Sequence, residues 1–330
     1  MTQSEKIEVA LAADDGYFCG LFVTACSIAE SANPDIALTF TILDGGITTA
    51  HWDMLRQRVC ELHPKCDFRR LPVDEQLFAE YPAWHGNKMA YARLMLPTAL
   101  PEVDWIVYCD VDFLWLRDIG ELWAERDDSL AFIGVQDLHL GTRLSEKAWF
   151  EARGYPFDLD NYFCSGLCFM NLRAFREEGL VGRIKDVLDK HKDIQFPDQA
   201  ALNIVTWGRR KLVDGRWQRF SERLTREDLK AGVVIHHAGD VPWKKRKGGR
   251  GIDFISDAKL LWHRANARYL GITAWQSLRK TFSPMEILRK RLAVYLFRMP
   301  GILPLAKAVL GLLKHPGVYT CIEMRVRSVM

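Results

Sequence analysis

A chain of 330 residues that is 48% hydrophobic, with 11 Trp and 17 Phe, has ample material for a large folded core and is not a disordered protein. Its formal charge of +3 is unevenly placed: residues 279–330 hold ten Lys/Arg and two acids, a net of +8, which leaves −5 on residues 1–278. Eight cysteines without a CxxC pair or zinc-finger spacing exclude a zinc finger, and no run approaches the ~20 apolar residues of a membrane span.

In chain order, Ile7 to Ala12 is a first strand, followed by the loop Asp14-Asp15-Gly16-Tyr17. The spacing of apolar residues predicts a helix from Phe18 to Ser31, stopped near Asn33-Pro34. A second strand runs from Ala37 to Leu43 and ends at Asp44-Gly45-Gly46. Thr49 to Leu62 is a helix with Trp52, Leu55, Val59 and Leu62 on one face, and Cys66 to Leu71 is a third strand. Met89 to Leu96 is expected as a helix, and Trp105 to Cys109 as a buried strand. Leu130 to Val135 is another strand, and residues 139–161 are expected to be loop-rich. Phe163 to Asn171 is a further apolar strand, with Leu172 to His191 helical after it. A helix near Asp198 to Thr206, a strand at Val233 to His236, a basic loop from Ala238 to Gly251 and a helix from Asp257 to Tyr269 complete the body. The alternation of strands and helices predicts an α/β fold with a mostly parallel sheet flanked by helices. The change in charge divides the chain into a body, 1–278, and a basic tail, 279–330.

The most informative segment is Trp105-Ile106-Val107-Tyr108-Cys109-Asp110-Val111-Asp112. Ligand sites in open α/β sheets lie outside the carboxyl ends of the strands. With a period of two, Asp110 and Asp112 point to the same side there. Two converging carboxylates repel each other and call for a cation. Hard oxygen donors suit Mn²⁺ or Mg²⁺, which in turn grips a diphosphate.

Four further segments stand in order around this one: Ala12-Ala13-Asp14-Asp15-Gly16-Tyr17, Tyr91-Ala92-Arg93-Leu94, Asp198-Gln199 with Leu202-Asn203, and His236-His237-Ala238-Gly239. Taken singly, each has a plainer role: Asp14 as a loop cap, Arg93 as an ion-pair partner, His236 as a strand end, Asp198 as a helix cap. Together, over residues 7 to 270, they resemble the family 8 retaining glycosyltransferases, which include lipopolysaccharide and lipooligosaccharide galactosyl- and glucosyltransferases. The resemblance implies a single-domain nucleotide-sugar-binding fold of the glycosyltransferase A type. It implies that Ala12, Asp14 and Gly16 bind the uridine, and that Arg93 contacts the donor sugar and diphosphate. Asp110 and Asp112 match the family's Asp-x-Asp, and His236 completes the metal site. Gly239 approaches the phosphates. Asp198, Gln199 and Asp137 lie beside the donor sugar, and His85 faces the acceptor. The implied reaction is retaining transfer of galactose or glucose from a UDP-sugar to a saccharide acceptor, with lipopolysaccharide, lipooligosaccharide or capsule-type glycolipids as the leading class.

Two departures from the family pattern are present. Phe163-Cys164-Ser165-Gly166 has Cys where the family carries Asn, which puts sugar preference in doubt. The segment His236 to Trp243 is shortened and lacks the phosphate-binding lysine before Pro242, a role open to Lys244 or Lys245. These departures keep open an alternative, a non-catalytic nucleotide-sugar or glycan binding protein on the same fold. The tail, residues 284–330, alternates basic and apolar stretches broken by Pro and Gly. Such segments lie in the interface of an anionic membrane, or else pack on the body or on another subunit. With no signal peptide opening the chain, a cytoplasmic location is expected, peripheral on the inner face of the membrane. No nucleic-acid partner is expected.

Overall fold

In a computed structural model, which describes residues 6–82, 88–245, 256–288, 290 and 291, the first strand-helix alternation appears as expected. β1 (Lys6–Ala13) is followed by α1 (Phe18–Ser31), β2 (Ala37–Asp44), α2 (Thr49–Leu62) and β3 (Cys66–Pro72). Next come α3 (Leu96–Ala99), β4 (Trp105–Cys109), β5 (Phe113–Trp115), α4 (Ile119–Trp123) and β6 (Phe132–Gln136). α5 (Leu140–Glu151), β7 (Phe163–Asn171), α6 (Leu172–Glu177), α7 (Leu180–Lys190), α8 (Pro197–Val205) and β8 (Arg210–Val213) follow. The chain divides into two compact units between Gln218 and Arg219.

In the first unit seven strands pair in the order β3-β2-β1-β4-β7-β6-β8. β7 alone runs against its neighbours, antiparallel to both β4 and β6, while the other pairs are parallel. The central strands are apolar along nearly their whole length because helices cover both faces. β4 and β7 have every residue buried, and β1 has only Lys6 exposed. The edge strand β8 is only half-buried and carries Arg210 and Lys211, so it leaves no hydrophobic signature in the sequence.

Three expectations need correction. Residues 139–161 are not merely loop: α5 occupies Leu140–Glu151. Its pattern is inverted, with Leu140 and Leu144 about half exposed while Glu146 is buried at 1%, so helical periodicity does not reveal it. The single helix expected from Leu172 to His191 is two, α6 and α7, separated at Gly179 with φ +61°. At that backbone angle a side chain is strained and glycine is not. Met89–Met95 forms a 3-10 helix before α3. Pro97 sits in the first turn of α3, where its missing N–H costs nothing, so it starts a helix here.

The second unit contains β9 (Arg219–Phe220), α9 (Arg226–Ala231), β10 (Val234–His236), α10 (Asp257–Leu270) and α11 (Ala274–Arg279). β9 and β10 pair in parallel, with His236 opposite Phe220. Thr225 with Asp228 and Thr273 with Gln276 make capping boxes that start α9 and α11. Among the described residues no helix is long and apolar enough to cross a membrane. Trp84, His85, most of the basic loop and the tail beyond 291 lie outside the described residues.

Candidate functional site

The site grows from the carboxyl edge of the first sheet. β1 and β4 are neighbours with Leu11 opposite Cys109, so Ala12 and Asp110 leave the two strands side by side. Beyond β1, Asp14 caps a short 3-10 turn by accepting the Tyr17 N–H at 2.9 Å. Asp15 accepts the Thr48 N–H at 3.0 Å and meets His51 Nδ1 at 2.6 Å. These two bonds hold the Asp15 carboxyl below the usual range. Gly16 keeps the turn tight, since a Cβ there would come within 3.2 Å of Asp14 Oδ1.

The Asp110-Val111-Asp112 segment is held from two sides. The Asp110 N–H donates to Gly166 O on β7 at 2.8 Å. From α1, the buried Thr24 hydroxyl lies 2.9 Å from Val111 O and 2.8 Å from Phe113 O, the carbonyls on either side of Asp112. Ser27, one turn later, accepts the Trp115 N–H at 3.0 Å. Both aspartates are half-buried.

Behind Asp110 lies Arg93, 1% exposed although it is a full cation. Its Nε donates to Ala90 O at 2.8 Å, and Nη1 donates to Ser165 O and to Cys168 Sγ. Nη2 reaches Asp110 Oδ1 at 3.2 Å and Asp198 Oδ2 at 3.6 Å. The guanidinium also lies 4.1 Å from the Tyr108 ring centroid, a cation–π contact. Four hydrogen bonds and an ion pair to Asp198 hold the fork, so one cation lies between Asp110 and Asp198.

From Asp198 the network continues without a break. The Ser165 hydroxyl donates to Asp198 Oδ2 at 2.9 Å, and the Ser165 N–H donates to Gln199 Oε1 at 3.0 Å. Gln199 Nε2 donates to Asp137 Oδ2 at 3.0 Å and to the Tyr162 hydroxyl at 3.3 Å. Asp137 also accepts the His139 N–H at 2.8 Å. Asn203, one turn along α8 from Gln199, pairs with both backbone groups of Phe163, through Oδ1 at 3.1 Å and Nδ2 at 2.9 Å. It thus joins the helix to the end of β7 as another strand would.

Asp110, Arg93, Asp198, Gln199 and Asp137 are thereby brought into one polar network across β4, β6, β7 and α8. Ser165, Tyr108, Tyr162, Glu146 and Thr24 belong to the same edge and are not singled out by sequence reasoning. A hydroxyl or tyrosine in an apolar strand carries no signal of its own. Glu146 carries none either, because the helix that turns it toward the core is not legible in the sequence.

In the second unit His236 ends β10, buried at 4%, with its ring 5.3 Å from that of Phe220. Gly239 follows with φ +70° and open space where a Cβ would stand. Lys245 pairs with Glu286 at 2.9 Å, and Lys244 is exposed. Trp243 packs on Trp262 at 5.3 Å. His263 sits between Ser277 Oγ and Pro242 O, and burial pushes its pKa down to about 4, so its ring is neutral.

The sequence pattern of glycosyl transferase family 8 matches residues 8–247. The lipopolysaccharide 1,2-glucosyltransferase of Escherichia coli is 22% identical over 262 residues, 74% of this chain and 75% of that protein. A Haemophilus influenzae relative is 24% identical over 218 residues, 65% of this chain, and the chain spans 63% of that relative's length. Among solved structures, the galactosyltransferase LgtC in complex with donor and acceptor sugar analogs has a TM-score of 0.64 at 23% identity, covering 79% of this chain and 96% of that one. The bifunctional WbbM apo structure has a TM-score of 0.67 at 18% identity, covering 86% of this chain and 53% of that one. At these identities the structural likeness shows the fold, a glycosyltransferase A-type α/β arrangement.

Proposed function

The chain belongs to glycosyl transferase family 8, and on that premise we propose that it is a retaining, metal-dependent transferase. It moves galactose or glucose from a UDP-sugar to a saccharide acceptor of the lipopolysaccharide, lipooligosaccharide or capsule type. The observation that carries this reading is the buried polar network from Asp110 through Arg93, Asp198 and Ser165 to Gln199 and Asp137. A sheet edge that gathers this many acids and amides is built to meet a polar ligand, not merely to fold.

In this reading Ala12, Asp14 and Gly16 receive the uridine. By residue type and by their match to the family's pattern, Asp110 and Asp112 would contribute carboxylates and His236 an imidazole, a donor set that fits Mn²⁺ and, less well, Mg²⁺. A divalent ion held by these residues would supply positive charge against the leaving diphosphate. Arg93 holds Asp110 and Asp198 in place behind the donor, and adds positive charge on the diphosphate side. Gly239 lets the backbone approach the phosphates, and Lys244 takes the role of the missing lysine. Transfer passes through an oxocarbenium-like state, as in glycoside hydrolysis. Asp198, Gln199 and Asp137 stabilise positive charge at the anomeric carbon. Front-face attack, guided by the leaving phosphate, accounts for retention without a covalent intermediate.

Residues 1–278 serve as the catalytic body, and the basic tail, 279–330, attaches it to an anionic membrane on the cytoplasmic face. Support for the tail's role is its charge of +8 and its alternation of basic and apolar stretches. The deciding test is UDP release from UDP-glucose and UDP-galactose with Mn²⁺, with and without saccharide acceptors, repeated with EDTA. Metal-dependent release supports the proposal. Binding of UDP with no release from any donor overturns it in favour of a non-catalytic binding protein.

A further inference from the structure

The polar network does not stop at Gln199. It runs on into the core, to a carboxyl that the transfer chemistry above does not use. Gln199 Nε2 donates to the Tyr162 hydroxyl at 3.3 Å, and that hydroxyl donates to Glu146 Oε2 at 3.0 Å. Glu146 and Tyr162 are each 1% exposed. Glu146 sits one turn before the buried Phe150 on α5, where the helix period calls for an apolar residue, and its partner Tyr162 packs against Phe150 and Phe157. A buried acid of this kind opposes folding, so its presence asks for another reason.

The two ends of a glutamine amide are alike in shape and opposite in hydrogen bonding. Three groups decide which end goes where. The Ser165 N–H requires an acceptor and meets Oε1 at 3.0 Å. Asp137 Oδ2 requires a donor and meets Nε2 at 3.0 Å. Tyr162 could serve either end, because a hydroxyl both donates and accepts. Glu146 removes that choice: once it takes the hydroxyl hydrogen, only the lone pairs of Tyr162 face the amide.

We propose that Glu146 and Tyr162 are positioning residues for glycosyl transfer, which together hold the Gln199 amide with its nitrogen toward Asp137 and its oxygen toward the Ser165 N–H. The inference rests on the transferase reading, since it gives that orientation a purpose at the donor sugar. Burial, assisted by the charge of Asp137, pushes Glu146 up to about 7, against the hydrogen bond from Tyr162. Arg210, on β8, donates to the carbonyl of Asn161, next to Tyr162 in the chain. Below that pH Glu146 gains a proton and can donate to Tyr162. The tyrosine hydrogen is then free to turn toward Gln199, and the amide loses one of its three constraints.

The test uses the full chain with Mn²⁺ and UDP-glucose or UDP-galactose. Glu146→Gln keeps the shape and removes the charge, and Tyr162→Phe removes the relay. Both should lower kcat by about 10- to 100-fold, the usual effect of outer-shell partners, with KM for the UDP-sugar nearly unchanged. Wild-type kcat should fall as pH drops through 7, and that limb should be missing from Glu146→Gln. Unchanged kcat and an unchanged pH limb in Glu146→Gln overturn the proposal, because a merely structural role would move neither. If the wild type releases UDP from neither donor, the transferase reading fails, and NMR of glutamine-labelled protein decides the orientation claim alone. The Gln199 side-chain amide protons should be slow to exchange in the wild type and lose protection in Tyr162→Phe. Equal protection in both proteins overturns the claim.

Discussion

Replacing Arg93 by methionine keeps the length of the side chain and deletes its planar fork. The loss can be worked from the contacts. Two carboxylates, Asp110 and Asp198, lose their common cation, and the Ala90 and Ser165 carbonyls lose donors. Breaking a buried pair by removing one partner costs about 3–5 kcal/mol, because the other charge stays behind. Asp110 has a side chain 36% exposed and can recover water, whereas Asp198 has 15%. The expected loss is therefore about 3 kcal/mol, near the lower end of that range. In urea, with a slope of about 3 kcal/mol per molar, the unfolding midpoint should fall by about 1 M. Tryptophan fluorescence can follow the transition, and the slope should not change. Arg93→Lys restores the charge but offers three donors against five in a different geometry, so it should recover only part of the loss. UDP release should fall in both variants. An Arg93→Met midpoint within about 0.2 M of wild type would refute the reasoning, since it would mean that the fork carries no net stability.

Asp110→Ala and Asp112→Ala should each abolish UDP release while the protein stays folded by circular dichroism; full activity in either removes the metal role. EDTA should stop turnover and added Mn²⁺ should restore it, whereas indifference to the chelator argues against a metal-dependent reaction. Thr24→Val should cost about 1–3 kcal/mol in urea unfolding, because the one hydroxyl hydrogen that lies between the Val111 and Phe113 carbonyls is lost. Glu146→Gln should stabilise the protein at pH 8. Glu146 is raised from 4.5 to about 7, so the native state holds the extra proton and wild-type stability falls as pH rises between those values, by roughly 3 kcal/mol in all. Thermal unfolding of both proteins at pH 5 and pH 8 checks the sign: the gain should be large at pH 8 and small at pH 5. Deleting residues 284–330 should abolish pelleting with anionic vesicles, and retained pelleting would place any membrane contact elsewhere.

Elements whose physics is local were legible in the chain. α1 and α2 have the expected ends, and so do β4 and β7, because continuous apolar runs and helical spacing record burial directly. The strand-end aspartates, Asp198-Gln199 and Arg93 were also marked, through their order along the sequence. α5 was hidden because its leucines face outward and its acid faces inward. β8 was hidden because an edge strand can be polar. What no local pattern could supply is the partnership of Ser165 with Gln199 and Asp198, or of Tyr162 with Glu146. Those contacts depend on β7 running against β4 and β6, which carries Ser165 back beside Asp110 and sets α8 over the strand end. Residue types and spacing determined which groups are available for chemistry. Long-range strand pairing, with α8 set against it, decided which of them share a hydrogen bond, because tertiary packing brings positions dozens of residues apart to 3.0 Å.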